Sequence, residues 1–347
     1  MRGIEIRRFV VSAFLVISAL LGCLFPVFRA AAQQPAPVAN VPKTAQPVGA
    51  AGPASLLQDN TLLTIYGRAF GVAPILGRLG QYKNADTMAK DVLRWVTPIR
   101  QQNDNKGVIV GIHLIYALAI PCEPRIPECL LYFESMDKEI VKHYIEPAAQ
   151  RGWVVILDTQ LGKSNPVDQV NRMISKGYLK YDNVHVALDP EFHVRNGAAT
   201  PGIPIGTVKA SQINDVQKLL DDYVKQEGLP HSKILIVHQF GDANVKDGVP
   251  FMIEDKKELK TFDNVDLVIC ADGFGKQPVK VVKYNRMTDS AVYPFIKYRA
   301  IKIFYPNRWE KAGHFDKPPL TIPQVFGTQK IDGKLKVESK PNVVIIA

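Results

Sequence analysis

Short apolar runs alternate with longer amphipathic segments from residue 61 to residue 347. We predict a β-strand at each of eight apolar runs, namely 62–67, 108–118, 153–161, 184–191, 234–240, 265–272, 299–305 and 342–346. Amphipathic helices are predicted between several of these runs, because capping residues precede apolar residues at helical spacing at Asn84, Ser135, Asn165 and Ser211. This alternation of strands and helices indicates a parallel sheet.

Eight parallel strands fit a closed (β/α)8 barrel, the TIM barrel, in which the last two repeats look irregular and no helix follows the final strand. Closure requires the strand at 342–346 to pair between the strands at 62–67 and 299–305. An open, doubly wound sheet is the alternative fold. The first strand argues against that alternative, because Gly67–Gly71 lacks the glycine spacing of a dinucleotide-binding turn.

Residues 1–32 have the pattern of an export signal, with positive charges first, then an uncharged and mostly apolar run, and then three alanines that end at Ala32. Three outcomes stay open. The signal is cleaved after Ala32, or lipidated at Cys23 in a lipoprotein-like Leu-Leu-Gly-Cys segment, or its apolar run is retained as a membrane anchor. Each outcome predicts an extracytoplasmic protein, and the lipidated and anchored forms would contact the membrane through the N-terminus.

Residues 33–58 are a Pro/Ala-rich linker without aromatic side chains, which predicts a disordered tether, and residues 59–347 are the predicted barrel domain. Cys122 and Cys129 bracket a Pro-rich stretch, and we predict a disulfide between them in an oxidising compartment. Two free thiols on a loop are the alternative. Cys270 lies within an apolar run and is predicted to be a buried core residue.

Composition excludes several classes of protein without naming a reaction. The content of 46% hydrophobic and 22% charged residues is typical of globular proteins, which excludes disordered, collagen-like and multi-span membrane proteins. The net charge of +10 is spread along the chain instead of forming a basic stripe, so we expect no nucleic-acid partner. No Cys-x-x-Cys or His-x-x-x-His pattern occurs, so we expect no structural zinc site and no cofactor.

The fourth predicted strand carries the strongest indication of a site. Along Val184–His193 the even positions are all apolar, whereas the odd positions include two histidines, Asp189 and Glu191. Because side chains alternate along a strand, the odd face should point into the barrel and bring both carboxyl groups to its C-terminal mouth, where barrel active sites lie. Carboxyl groups so close together raise at least one pKa, as a general acid requires. Alternatively, Asp189 caps the following loop and Glu191 points into solvent.

The other strand ends supply two further catalytic candidates, Asp158 and Asp272. Asp158 shares the inward face of the third strand with Val154 and Ile156, and Asp272 precedes the flexible loop Gly273–Gly275. The predicted substrate-binding residues are His113, His193, His238, Gln239, Phe274, Lys302, Tyr305 and Arg68. A lone histidine in such a position is also compatible with a hydrogen-bonded core residue.

The segment Leu188–Glu191 resembles the Asp-x-Glu that ends the same strand in barrel glycosidases such as family 18 chitinases and family 25 muramidases. This resemblance implies that Glu191 is the proton donor and Asp189 its electrostatic partner. The chain from Thr61 to Ala347 is also similar to a group of uncharacterised bacterial secreted proteins and lipoproteins. The similarity lies in the Asp-Pro-Glu segment, in a strand start at Leu229-Pro230 and Lys233-Ile234, and in the Asp-Gly-Phe-Gly loop at 272–275.

Three function classes follow. In a glycosidase-like enzyme acting on a cell-envelope or extracellular glycan, one carboxylic acid protonates the leaving oxygen while a second carboxylate, or the substrate itself, stabilises the oxocarbenium-like centre. A non-catalytic glycan-binding or envelope-scaffold protein is the alternative, because Val184 and Ala187 occupy positions where chitinases carry further acids. A metal-dependent hydrolase is the third class, with ligands drawn from Asp158, Asp189, Glu191, His238 and Asp272.

Overall fold

The computed structural model describes residues 52–73, 77–135, 137–195, 197–241, 252–307 and 313–347. Within these ranges, eight parallel strands form the centre of the domain. They are β1 (Asn60–Gly67), β2 (Gly107–Ala119), β3 (Val154–Thr159), β4 (Val184–Leu188), β5 (Lys233–Gln239), β6 (Val265–Ala271), β7 (Tyr298–Ile303) and β8 (Val343–Ile346). Each strand coincides with one of the eight apolar runs, so the strand prediction is confirmed.

The eight strands close into a barrel. β1 pairs in parallel with β2 on one side and with β8 on the other, so that Leu62 lies opposite both Ile109 and Val343. β8 pairs in turn with β7, where Ala300 lies opposite Val343. The other neighbours follow in sequence order around the barrel. The predicted (β/α)8 barrel is therefore confirmed, and the open doubly wound sheet is excluded.

Helices follow most of the strands on the outside of the barrel. They are α1 (Ala85–Arg100), α2 (Glu146–Ala149), α3 (Pro166–Ser175), α4 (Ala210–Glu227), α5 (Gln277–Met287) and α6 (Ile322–Val325). Two of the predicted caps are confirmed: the Asn84 side chain accepts from the Thr87 N–H, and the Asn165 side chain accepts from the Val167 N–H. α6 is short, as expected for an irregular late repeat.

The helix predicted to begin at Ser135 starts later. Ser135 ends a 3-10 turn, Phe133–Ser135, and it is Asp137 whose side chain accepts from a backbone N–H, that of Glu139. A π-helical turn, Val141–Ile145, then precedes α2. Pro147 explains the irregularity, because it lacks the N–H that an α-helix would donate to a carbonyl four residues earlier. Similarly, α4 begins one residue before the predicted Ser211, at Ala210.

The connection between β5 and β6 is also irregular. Its described residues contain a short strand, Ile253–Glu254, and a 3-10 turn, Lys256–Glu258, but no α-helix. Ile253–Glu254 pairs with another short strand, Val208–Lys209, which lies just before α4. This small two-stranded sheet joins the connections that leave β4 and β5.

Two apolar layers confirm the predicted alternation of side chains along β3 and β4. Val155 and Val186 pack outward against the helices, in a cluster that includes Leu220 of α4. Ile156 and Ala187 pack inward, in a second cluster inside the barrel. Polar residues on the inward face therefore lie near the barrel axis, and those at the strand ends reach its C-terminal mouth.

The first 51 residues lie outside the described residues, and with them the predicted export signal and most of the linker. Residues 52–58, which the sequence assigns to the linker, are described and pack against the barrel. Leu57 is 1% exposed within the inner apolar cluster, and Ser55 Oγ donates to Asp266 Oδ2 at 2.8 Å. None of the helices in the described residues has the length and apolar content needed to cross a bilayer.

Cys122 and Cys129 form a disulfide with 4.5 Å between their Cα atoms, which confirms the predicted pairing. The Cys122 N–H donates to the Ala199 carbonyl at 2.8 Å. The disulfide lies within the loop after β2, and this hydrogen bond joins that loop to the loop after β4, close to the mouth of the barrel. Cys270 is an unpaired, buried residue of β6, as predicted.

Candidate active site

A cavity of about 320 Å³ opens at the C-terminal mouth of the barrel. Four predicted catalytic or binding side chains with ionisable groups line it: Asp189, Glu191, Asp272 and Lys302. The rest of its lining consists of Tyr66, Gln160, Phe192, Phe240, Gly273, Phe274, Lys283 and Phe304. A second cavity, of about 440 Å³, lies outside the barrel beside the start of α1, and its lining contains none of the predicted site residues.

Glu191 enters the cavity from a tight turn. β4 ends at Leu188, earlier than predicted, and Pro190–Phe192 form a 3-10 turn that Asp189 caps by accepting from the Glu191 N–H at 3.3 Å. The Glu191 carbonyl accepts from the Gly206 N–H at 2.7 Å. Only glycine fits at position 206, because a Cβ there would lie 2.3 Å from the Pro190 carbonyl oxygen. The loop after the turn thus holds Glu191 in place through its backbone.

Both carboxyl groups of the Asp-x-Glu pair have raised pKa values. Burial is the main cause for each, and it raises the pKa of Asp189 to about 7, with the Asp158 and Asp272 charges adding to the rise. Burial, the Asp189 charge and the Asp272 charge raise the pKa of Glu191 to about 8, while Lys302 and His238 oppose the rise. Glu191 is therefore mostly protonated near neutral pH, as a general acid must be before it reacts.

Asp272 is held in the opposite state. Its Oδ2 accepts from Lys302 Nζ at 2.9 Å and contacts His238 Nδ1 at 2.9 Å, and its Oδ1 accepts from the Gly273 N–H at 2.5 Å. Burial alone would raise the pKa of Asp272, but Lys302 and His238 outweigh burial and hold that pKa well below its usual range. The cavity therefore combines a protonated carboxyl group, Glu191, with a permanently ionised one, Asp272.

Asp158, His113 and His238 lie deeper in the barrel, outside the lining of the cavity, and all three are 0% exposed. Asp158 Oδ2 lies 3.1 Å from His113 Nε2 and 3.1 Å from His238 Nε2. Burial lowers the pKa of His113 to about 4, against the effect of Asp158. Asp158 therefore contacts histidines and has no direct access to a substrate in the cavity. These three side chains could also ligate a metal ion.

Aromatic rings form much of the cavity wall. Phe274, which is 47% exposed, meets Phe304 edge-on at 6.0 Å between ring centroids. Tyr66 lies beneath Lys302, whose Nζ is 3.7 Å from the centre of the Tyr66 ring. Flat apolar surfaces beside a few convergent polar groups are typical of sites that bind small polar ligands.

Other predicted binding residues lie elsewhere. The Gln239 side chain is buried and accepts from Lys256 Nζ at 2.8 Å, and His193 Nδ1 donates to the Thr207 carbonyl at 2.6 Å, so both support loops. Tyr305 packs against Trp95 of α1, with 6.0 Å between ring centroids. Arg68 is not among the residues that line the cavity.

Sequence reasoning missed seven lining residues. Two of them lie beside predicted residues, since Gln160 is on the same face of the third predicted strand as Asp158, and Gly273 directly follows Asp272. Tyr66 shares the inward face of β1 with Leu62 and Thr64, and Phe304 shares the inward face of β7 with Lys302, so the alternation rule predicts both. The same rule places Tyr305 on the outward face, as observed. The other three missed residues, Phe192, Phe240 and Lys283, lie beyond the regular strands, where no alternation applies.

Comparison with known proteins yields no relative. No protein-family model matches the chain, and neither a curated protein nor a solved structure matches it.

Proposed function

We propose that this protein is an extracytoplasmic glycosidase-like hydrolase that cleaves a cell-envelope or extracellular glycan, with Glu191 as the proton donor. The observation that carries the proposal is the position of Glu191 in the cavity, beside Asp189 and in the same lining as the Lys302-bound Asp272. General-acid catalysis of glycoside cleavage needs a protonated carboxylic acid near neutral pH together with a negative group that stabilises the oxocarbenium-like centre.

The raised pKa of Glu191 supports the first role, because the proton is retained until the leaving oxygen takes it. Asp189 favours that state, since its negative charge, when present, disfavours ionisation of Glu191. Asp272 supplies the fixed negative charge. Asp158 lies deeper in the barrel than the cavity and supports the site by contacting His113 and His238.

Asp272 is a poor candidate for a covalent nucleophile. Lys302, His238 and the Gly273 N–H all bind its two oxygens, so its lone pairs are largely engaged. We therefore infer that Asp272 acts through its charge, and that a water molecule or a group of the substrate itself attacks the sugar. The aromatic wall formed by Phe274, Phe304 and Tyr66 suits a sugar ring, which presents apolar C–H faces.

An extracytoplasmic location is supported by the Cys122–Cys129 disulfide, since such bonds persist mainly in oxidising compartments. The predicted export signal at residues 1–32 agrees with it. The similarity of Leu188–Glu191 to the Asp-x-Glu of barrel glycosidases supports the substrate class, a glycan, and the role of Glu191.

The test is the release of reducing ends from a panel of purified envelope and extracellular glycans, with wild type and Glu191→Gln compared. The amide keeps the shape of the side chain but cannot donate the same proton, so turnover should fall by about 10²-fold or more while glycan binding survives. Glu258→Gln is the matched control, because Glu258 is exposed and does not line the cavity.

Hydrolysis that is equally fast in wild type and Glu191→Gln would refute the proposed role of Glu191. Binding of a glycan by both proteins without any hydrolysis would favour the non-catalytic glycan-binding or scaffold function instead.

A further inference from the structure

The three buried side chains below the cavity, His113, Asp158 and His238, form a compact set of metal-ligand atoms. Each offers one nitrogen or oxygen atom, and these atoms all lie within 4.8 Å of one another. They come from three different strands, β2, β3 and β5, so the closed barrel brings them together even though no two of them are near in sequence. We propose that His113, Asp158 and His238 bind one Zn²⁺ ion.

The first argument is that part of this cluster has no hydrogen-bond partner. Asp158 Oδ1 and His238 Nε2 are fully buried polar atoms without a hydrogen-bond partner among the described residues. His238 Nε2 lies 3.1 Å from Asp158 Oδ2, but the contact lacks the geometry of a hydrogen bond. Leaving buried polar atoms unsatisfied is unfavourable, and a cation bound by the Asp158 carboxylate and His238 Nε2 would remove part of that penalty.

The second argument is the spacing of the donor atoms. Zinc bonds to histidine nitrogen and carboxylate oxygen are about 2.0 to 2.2 Å long, so two tetrahedral ligand atoms lie about 3.3 Å apart. Asp158 Oδ2 lies 3.1 Å from the Nε2 atom of each histidine. The side chains therefore need only a small adjustment to share an ion.

The third argument is the orientation of the histidine rings. His238 Nδ1 contacts Asp272 Oδ2 at 2.9 Å, and His113 Nδ1 lies 3.4 Å from Thr64 Oγ1. Metal-binding histidines usually donate their second ring N–H to a carboxylate or another oxygen, which fixes the ring and leaves the other nitrogen for the metal. Both rings thus present Nε2 to the same place.

The donor set also indicates which metal fits. Two imidazole nitrogens and one carboxylate oxygen suit zinc and similar transition metals, whereas Mg²⁺ and Ca²⁺ prefer oxygen ligands alone. The negative charge of Asp272 offsets the nearby positive charge of Lys302, which would otherwise repel a cation. Since none of the three ligands lines the cavity, the ion would order the floor of the cavity and would not contact the substrate directly.

The test is a direct measurement of metal binding by the full-length chain, with no assay of hydrolysis. After treatment with a chelator, the protein is titrated with Zn²⁺ by calorimetry, and its Co²⁺ form is examined for the visible spectrum of tetrahedral cobalt. We expect one Zn²⁺ per chain and a tetrahedral Co²⁺ spectrum. A chelator-treated wild-type protein that binds neither metal would overturn the proposal, whatever the behaviour of any variant.

Variants then locate the ion. Asp158→Asn keeps the size of a ligand and removes its charge. Asp272→Asn leaves all three ligands in place but removes the negative charge that contacts His238 Nδ1 and pairs with Lys302. Loss of such a supporting group usually weakens metal binding by about 10- to 100-fold, and loss of a ligand should weaken it more.

His143→Ala is the control, because His143 belongs to an exposed cluster with Asp137 and Glu139 that could also attract zinc. This variant should bind Zn²⁺ as tightly as wild type does. Loss of the ion in His143→Ala, or its full retention in a folded Asp158→Asn variant, would contradict the buried site.

Discussion

Lys302 Nζ lies 2.9 Å from Asp272 Oδ2, and both side chains are almost completely buried at the ends of neighbouring strands, β7 and β6. A buried ion pair seldom adds stability over an apolar pair, but removing one partner leaves an uncompensated buried charge. The main consequence of the pair is therefore that Asp272 stays ionised. It fixes a negative charge at the edge of the cavity that contains the protonated Glu191.

Lys302→Met should therefore destabilise the folded protein. The methionine fills much of the lysine volume but cannot neutralise Asp272, so the free energy of unfolding should fall by about 3 to 5 kcal/mol. Denaturant unfolding of both proteins at neutral pH measures this difference.

Lys218→Met provides the matched control for that measurement. Lys218 pairs with Asp222 at 2.6 Å on the surface of α4, with both side chains more than half exposed. Such pairs contribute about 0.3 to 0.5 kcal/mol. Equal effects of the two substitutions would show that the Lys302–Asp272 pair is far more hydrated than its burial indicates.

Leu57 should be important for stability although it lies in the segment that the sequence assigns to the linker. It is 1% exposed among the inner barrel residues, so Leu57→Ala should lower the free energy of unfolding by about 2 to 5 kcal/mol. Leu93→Ala is the control, because Leu93 is 60% exposed, and its effect should stay within about 0.5 kcal/mol. Denaturant unfolding tests both, and a Leu57→Ala effect as small as that of the control would place Leu57 outside the folded core.

The barrel could be predicted from sequence because it rests on patterns that alternate strictly. Val155 and Val186 face outward and Asp158 and Ala187 face inward, since side chains in a strand must alternate. The closure of the barrel also followed from the apolar run at 342–346, which has a place only between the first and seventh strands.

The candidate site was harder to predict because much of it lies where the strands end. Pro190 turns the chain into a 3-10 turn, so His193 supports a loop instead of following Glu191 into the mouth, while Phe192 lines the cavity. The alternation of inward and outward side chains along a strand also does not indicate how deep a residue lies along the barrel axis. Asp158 and Asp272 both face inward, yet only Asp272 reaches the cavity.

The Cys122–Cys129 disulfide should give a modest and measurable stabilisation. The residues are seven apart in sequence, and closing so short a loop restricts the unfolded chain by about 2 to 3 kcal/mol in the loop-entropy account. Unfolding in the presence and absence of a reductant measures this difference, and mass spectrometry of the peptide should show the two-hydrogen gain on reduction.

The double variant Cys122→Ala/Cys129→Ala separates this bond from other effects of the reductant, since its stability should not respond to reduction. The opposite outcome is that the reductant leaves the stability of the wild-type protein unchanged even though mass spectrometry confirms reduction. That result would show that the disulfide does not restrain the unfolded chain.

Glu191→Gln should stabilise the folded protein, and the gain should grow with pH. The pKa of Glu191 is raised to about 8 by burial and by the Asp189 and Asp272 charges, against an ordinary value of 4.5. At pH values between 4.5 and about 8, Glu191 is therefore protonated more often in the folded state than in the unfolded state. Wild-type stability therefore loses a contribution as the pH rises from about 4.5 to 8, because folding then requires either a bound proton or a buried charge.

Glutamine carries no charge at any pH and escapes this loss. The difference in free energy of unfolding between Glu191→Gln and wild type should be smallest near pH 4.5 and largest near pH 8, as measured by denaturant unfolding at several pH values. Asp189 titrates over an overlapping range but is present in both proteins, so the comparison largely removes its contribution. A difference that stays constant across this range would mean that Glu191 ionises at its ordinary pKa, and the protonated state required of the acid would then be absent at neutral pH.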